Sequence, residues 1–183
     1  MEKYVALLRG INISGKNKIP MSELKKEFER LGYENVITYL NSGNVIFKSD
    51  EKDEKDIINS IYKMIENKFN LNIPVYVIKA SNLKELLENK PEWWGTDNKE
   101  IYNNIIFIIP PTIYKEVYNT IGEPKEELEK IKEYKNNIFW SYNLKEYRKT
   151  NWWSKTASTS IRDSITIRTA NTIRKILELC CKL

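Results

Sequence analysis

The chain of 183 residues contains no histidine. That excludes a Ser-His-Asp triad, a Cys-His pair and any metal site with a histidine ligand. Its two cysteines, Cys180 and Cys181, are adjacent, so there is neither a CxxC redox pair nor a zinc-site spacing. Arginine supplies only six of the thirty basic side chains, and arginine is the residue best suited to bidentate phosphate recognition. No apolar run approaches membrane length, and the first twenty residues lack the uninterrupted apolar core of a signal peptide. These absences lead us to expect a soluble, cytoplasmic protein with no membrane partner, no metal and no cofactor.

What is present suits a packed domain. Hydrophobic residues make up 41% and aromatics 11%, enough for a sizeable core and too much for a disordered chain. The net charge of +5 favours an anionic partner weakly. A general richness in Lys, Asn and Ile gives the same balance with no partner at all.

Periodicity sets the elements. Tyr4–Arg9 reads as a buried strand. Met21, Leu24, Phe28 and Leu31 mark one face of a helix that Pro20 opens and Gly32 closes. Val36–Leu40 and Asn44–Lys48 form a hairpin across Asn41-Ser42-Gly43. A charge run, Asp50–Asp56, leads into a helix striped by Ile57, Ile61, Ile65 and Phe69, and Pro74–Lys79 is a further strand. The order is βαββαβ, the ferredoxin-like arrangement. After a linking helix broken at Pro91-Glu-Trp-Trp-Gly95, the rhythm returns loosely. Tyr102–Ile109 reads as a strand, Pro110-Pro111-Thr112 as a helix start, and Leu128–Tyr134 as a strand pairing with Ile138–Tyr142. Helical segments near Trp152–Arg162 and through Ile173, Ile176, Leu177 and Cys180 follow. The predicted class is α+β, with two ferredoxin-like subdomains packed together and a C-terminal helix. Their bounds are 1–80, a linker with the Trp-Trp loop at 81–100, and a second βαββα subdomain at 101–183.

Topology converts this order into a site. In βαββαβ the first two strands run parallel with the third between them, so three loops share one sheet edge. Loop 10–19, turn 41–44 and segment 70–73 should converge there. They bring together Arg9, Gly10, Asn12, Ser14, Gly15, Lys16, Lys18, Asn41, Ser42, Gly43, Asn44, Asn70 and Asn72, an edge rich in donors. Each residue also has an ordinary reading as a turn former or a solvated side chain. Gly10-x-x-x-x-Gly15-Lys16 is not a P-loop. Asn17 stands where a magnesium-binding hydroxyl belongs, and the helix starts near Pro20 rather than at Lys16. Base stacking on the sheet needs aromatics on the middle strands, for which only Tyr4 and Phe47 stand out. Trp93-Trp94, Trp140 and Trp152-Trp153 suggest an aromatic seam. In the segment Thr166-Ile-Arg168-Thr-Ala-Asn171-Thr172, which precedes or opens the last helix, Thr169 is a candidate cap and Arg168 could face an anion.

The residues also resemble a family. Leu7-Leu-Arg-Gly-Ile-Asn12, Gly15-Lys-Asn-Lys18, Met21-x-x-Leu24, Leu31-Gly32, Val36-x-Thr38-Tyr39 and Ser42-Gly-Asn-Val-x-Phe47 look like the bacterial domain of unknown function numbered 1697. The match is dense over 4–48 and weaker beyond. Thr166-x-Arg168-x-x-Asn171-Thr172 is similar to that family's closing Thr-x-Arg-Asn-Trp-x-Thr, with Thr169 and Ala170 in place of its Asn and Trp. The resemblance implies a cytoplasmic bacterial protein with two ferredoxin-like subdomains, and it brings no activity. It does carry Arg9, Gly10, Asn12, Gly15, Lys16, Ser42, Gly43, Asn44, Arg168 and Thr172 as motif positions.

The function expected is binding of a small phosphorylated or carboxylated ligand. Arg9 and Lys16 would neutralise it, Asn12, Ser14, Asn44 and glycine-flanked amides would donate to it, and Arg168 would close it in. Any catalysis there would need neither metal nor histidine. A nucleic-acid module on the same basic edge and an interaction module using the tryptophans are the alternatives, and the sequence leaves oligomeric state open.

Overall fold

A computed structural model describes residues 1–183. The first βαββαβ run is β1 (Glu2–Leu8), α1 (Met21–Arg30), β2 (Glu34–Tyr39), β3 (Asn44–Ser49), α2 (Glu54–Phe69) and β4 (Val75–Lys79). Its boundaries follow local chemistry. Pro20 stands at the α1 N-cap, and Gly32 just past its end has φ of +86°. Asp53 caps α2 by accepting from the Lys55 amide at 2.8 Å, and Asn70 ends it in the left-handed region. The sheet order is β2-β3-β1-β4, every neighbour antiparallel. Alternation puts Tyr4, Ala6 and Leu8 on one face with Val45, Phe47, Val75 and Val77, packed against Leu24, Phe28, Ile57, Ile61 and Ile65. Burying each large apolar side chain there contributes about 1.5–3 kcal/mol.

Helix α3 (Ala80–Glu88) follows β4 directly, and a second set begins: β5 (Ile101–Ile108), α4 (Tyr114–Ile121), β6 (Glu129–Tyr134), β7 (Asn137–Asn143), α5 (Asn151–Ser158), β8 (Ile165–Thr169), and then α6 (Ala170–Lys182). The order β6-β7-β5-β8 repeats that of the first sheet. Glu-Lys-Ile-Lys-Glu-Tyr134 is a strand despite its charge, because a two-residue turn folds it onto β7. Lys135 and Asn136 both have positive φ there, as a type I′ hairpin requires. Strand β8 goes beyond the βαββα order expected from the sequence. Residues 165–169 pair along β5 and complete a full βαββαβ set. Thr169 then accepts the Thr172 amide at 3.2 Å, the predicted cap. The core of this set gathers Ile106, Ile108, Val117, Ile121, Ile138, Trp140, Tyr142, Trp152 and Ile165.

The chain divides into two compact units, Met1–Glu85 with Arg174–Leu183, and Leu86–Ile173. It leaves the first within α3 and re-enters it within α6, where the Lys3 ammonium donates to the Cys180 carbonyl at 2.9 Å. No helix is long and apolar enough to cross a membrane.

Candidate functional site

Three loops of the first unit are tied together at one end of its sheet. The Leu8 amide donates to the Gly43 carbonyl at 2.8 Å, and the Arg9 amide to the Pro74 carbonyl at 3.0 Å. Gly43 is the tightest point. Its φ is +78°, and a Cβ there would stand 2.7 Å from the Leu8 Cβ and 2.9 Å from the Ile11 Cδ1. The loop beyond Arg9 folds on itself. Ile13 and Lys16 pair across a turn in which Ser14 and Gly15 both have positive φ, with the Lys16 amide 2.9 Å from the Ile13 carbonyl. Asn17 Nδ2 donates to the Gly10 carbonyl at 3.0 Å.

Asn12 is the latch. Its Oδ1 accepts the Ile19 amide, and its Nδ2 donates to the carbonyls of Ile19 and Asn41, all at 2.9 Å. Both amide hydrogens are thereby engaged, and the loop is pinned to the turn. Asn44, fully buried, does similar work inside the turn by donating to the Tyr39 carbonyl at 2.8 Å and to Ser42 Oγ at 3.1 Å. The convergence predicted from topology is therefore present, with Asn12 and Asn44 building it.

What the loops expose is cationic and apolar. Ser14, Gly15, Lys16 and Lys18 are exposed, while Arg9, Gly10 and Ser42 are half-buried. Segments 9–20, 40–44 and 70–74 contain no carboxylate, and neither Lys16 nor Lys18 forms an ion pair. Ile13 (59% exposed) and Leu40 (52%) flank the bonded Asn12–Asn41 pair in sequence. Arg168 belongs to the second unit, in β8, where its Nη1 donates to Thr166 Oγ1 at 2.8 Å and to the Ile167 carbonyl at 2.9 Å. The helix after the loop starts at Met21, five residues past Lys16, so its first amides do not form a P-loop cradle.

The aromatic expectations resolve differently. Tyr4 and Phe47 stack at 5.8 Å inside the first core, so neither is a base-stacking platform. The tryptophans form no single seam. Trp140 and Trp152 lie in the second unit's helix-side core, whereas Trp94 packs edge-on against Phe139 at 5.1 Å and donates to the Asn104 carbonyl at 2.7 Å. The Cys180 thiol is pushed up to about 11 by burial and then by Cys181, which keeps it protonated and unreactive near neutrality.

The buried Glu129 escaped the sequence reading. The Glu129 carboxylate accepts Trp140 Nε1 at 3.1 Å, the Asn151 amide at 2.7 Å and the Trp152 amide at 3.2 Å. It thus sits on the N-terminus of α5, where the helix dipole favours a negative group. The available signal was its inward register with Ile131 in an alternating strand. Beside it lies a cavity of about 210 Å³, walled by Trp93, Glu126, Glu127 and Tyr142. An open groove of about 530 Å³ runs between Lys25, Asn35 and Lys182 in the first unit. Neither is lined by the converging loops.

Comparison with known proteins agrees with the fold. Residues 1–139 match the profile of a family described as a protein of unknown function, DUF1697. The structure is similar to that of the conserved bacterial protein SP0830 from Streptococcus pneumoniae. The two share 28% identity and a TM-score of 0.86, over 98% of each chain. No curated protein matches the chain.

Proposed function

Because the chain belongs to the DUF1697 family, whose description carries no activity, its role is argued from its own residues, and we propose that it binds a small phosphorylated or carboxylated ligand at loop 10–19 and turn 41–44. The observation that carries this is the bonding of three carboxylate-free loops into one end of a sheet that holds Arg9, Lys16 and Lys18. Lys16 and Arg9 neutralise the anion, and Ser14 and Ser42 donate to it. Gly10 and Gly15 supply the positive φ of the loop and Gly43 the close approach to Leu8, and Asn12 and Asn44 hold the backbone in place. Arg168, bonded within its own strand, is not needed by this reading. Exposed Ile13 and Leu40 favour an anion that carries an apolar group.

Calorimetric titration with inorganic phosphate, phosphate monoesters and dicarboxylates tests it. Arg9→Ala and Lys16→Ala should each weaken binding by about 1.5–3 kcal/mol, the range for charge-assisted hydrogen bonds. Salt dependence should be shallow, since one or two cations are involved. A steep salt slope with losses spread over distant lysines would instead establish a nucleic-acid surface. Absence of binding by every anion would refute the reading.

A further inference from the structure

The loop end of the first unit projects rather than encloses. Residues 13–18 are exposed without a break, as are Leu40 and Asn41, and neither cavity described above is lined by them. Two aliphatic side chains, Ile13 and Leu40, lie more than half in solvent there. Each stands one residue from a partner in the Asn12–Asn41 bond, so the latch that joins the loops also brings their apolar residues to one place.

Leu40 is the more telling of the two. Of the eight non-glycine residues at positive φ, it is the only apolar one, at +57°, and asparagine fills five of the other seven positions. Bulky side chains resist that region, whereas asparagine tolerates it and suits water. Leucine at this position therefore costs the fold in backbone conformation and in solvation together. Such a residue points to a use outside the fold.

The charge at the tip has one sign. Lys16 and Lys18 are exposed, and residues 9–20, 40–44 and 70–74 contain no carboxylate. Glu23, in the first turn of α1, is the next carboxylate along the chain and stands two residues before Lys25. Helices α1 and α2 each carry three acidic and three basic side chains and leave the sign of the tip unchanged.

A convex tip with two aliphatic side chains and lysines beside them suits a bilayer that contains acidic lipids. Aliphatic groups enter the boundary of the acyl chains, while lysines stay at the headgroup phosphates. We propose that residues 13–18 and the 40–41 turn dock this protein on an anionic lipid surface, with Ile13 and Leu40 inserting and Lys16 and Lys18 on the phosphates. This docking rests on the reading above that the same loops take an anion, and it makes a lipid headgroup the source. The expectation of no membrane partner rested on the lack of a spanning run. Contact from one side needs none, and no helix here is long and apolar enough to cross.

Flotation of the full chain with vesicles tests the proposal, using phosphatidylcholine alone and an equimolar mixture with phosphatidylglycerol, beside calorimetry with glycerol phosphate. The chain is expected on the mixed vesicles and not on phosphatidylcholine alone. Lys16→Gln and Lys18→Gln should each lower partitioning roughly fivefold, the worth of one lysine at an anionic surface. Ile13→Ser with Leu40→Asn should lower it about tenfold or more. Asparagine fits the backbone at 40 better than leucine does, so a melting temperature no lower than the parent's separates this loss from unfolding. Lys130→Gln with Lys132→Gln, exposed on β6 of the second unit, should change partitioning little. Absence from the mixed vesicles would overturn the proposal. So would partitioning that the β6 pair weakens as much as Lys16 and Lys18 do, with Ile13→Ser and Leu40→Asn silent, which is adsorption of a chain of net positive charge. Glycerol phosphate bound without vesicles overturns the docking and leaves the small-ligand reading standing, and binding of neither removes both. Vesicles bound without glycerol phosphate support the docking and confine the site to lipid surfaces.

Discussion

In the first unit twelve residues, 9–20, join β1 to α1; in the second, five residues, 109–113, join β5 to α4 at the equivalent place in the same topology. Each connector is pinned to the neighbouring β-turn by one asparagine side chain, but from opposite sides. Asn12 reaches from the connector to the turn. Asn136 reaches from the turn to the connector, donating to the Thr112 carbonyl at 3.2 Å and accepting the Tyr114 amide at 2.6 Å. The fold therefore asks for a latch, and it is satisfied by a connector as short as Ile-Pro-Pro-Thr-Ile113. The additional length in the first unit carries Lys16, Lys18 and the 13–16 turn, and closing the sheet does not require it. That surplus is what the ligand reading explains and a purely architectural reading does not.

Substitutions can break or sharpen this comparison. The largest effect is expected from Gly43→Ala. Its Cβ would collide with Leu8 and Ile11 at a backbone angle that L-residues resist, at a cost of roughly 3 kcal/mol measured by chemical denaturation. The second unit's turn already uses L-residues at positive φ, so Asn136→Gly should disturb φ little and lose only the latch. Next come the latches themselves. Asn12→Ala and Asn136→Ala should each cost about 2 kcal/mol, because each strands backbone groups that the side chain had satisfied. A large loss for one and none for the other would show that the two devices are not equivalent. Smallest is Lys16→Ala. Its effect on stability should stay within about 0.5 kcal/mol while anion affinity falls, as befits an exposed side chain outside the fold's requirements.

Much of the first unit was legible because each element is punctuated. Pro20, Gly32, the Asn-Ser-Gly turn and Asp53 all sit at real boundaries, and apolar periods of two and 3.6 residues alternate cleanly between them. The second unit hides its last strand. Ile165–Thr169 passes into α6 with no breaker, and although Ile165 and Ile167 face the core, the alternate positions hold Thr166 and Arg168, buried polar residues bonded to one another that read as part of a polar lead-in to the helix. In the site, the convergence of loops followed from topology alone. The roles within it did not, because an asparagine that clamps backbone and one that offers an amide to a ligand are the same letter. Only partner geometry separates Asn12 and Asn44 from Ser14 and Lys16. Glu129 was hidden for a related reason: a charged residue in a lysine- and glutamate-rich strand looks like solvent-facing edge chemistry until the helix amides that surround it are seen.

The path of the chain through α3 and α6 carries a consequence for synthesis. Arg174–Leu183 belongs to the first unit although the whole of the second is encoded before it. The ribosome therefore releases β1 through β4 long before the segment whose Cys180 carbonyl receives Lys3. Domains usually fold as units, earliest first, but the closing piece of this one is synthesised only after its neighbour. A fragment cut after β4 would lack that piece altogether, so the first unit is best excised with α6 reattached by a linker, as a rejoined rather than a truncated chain.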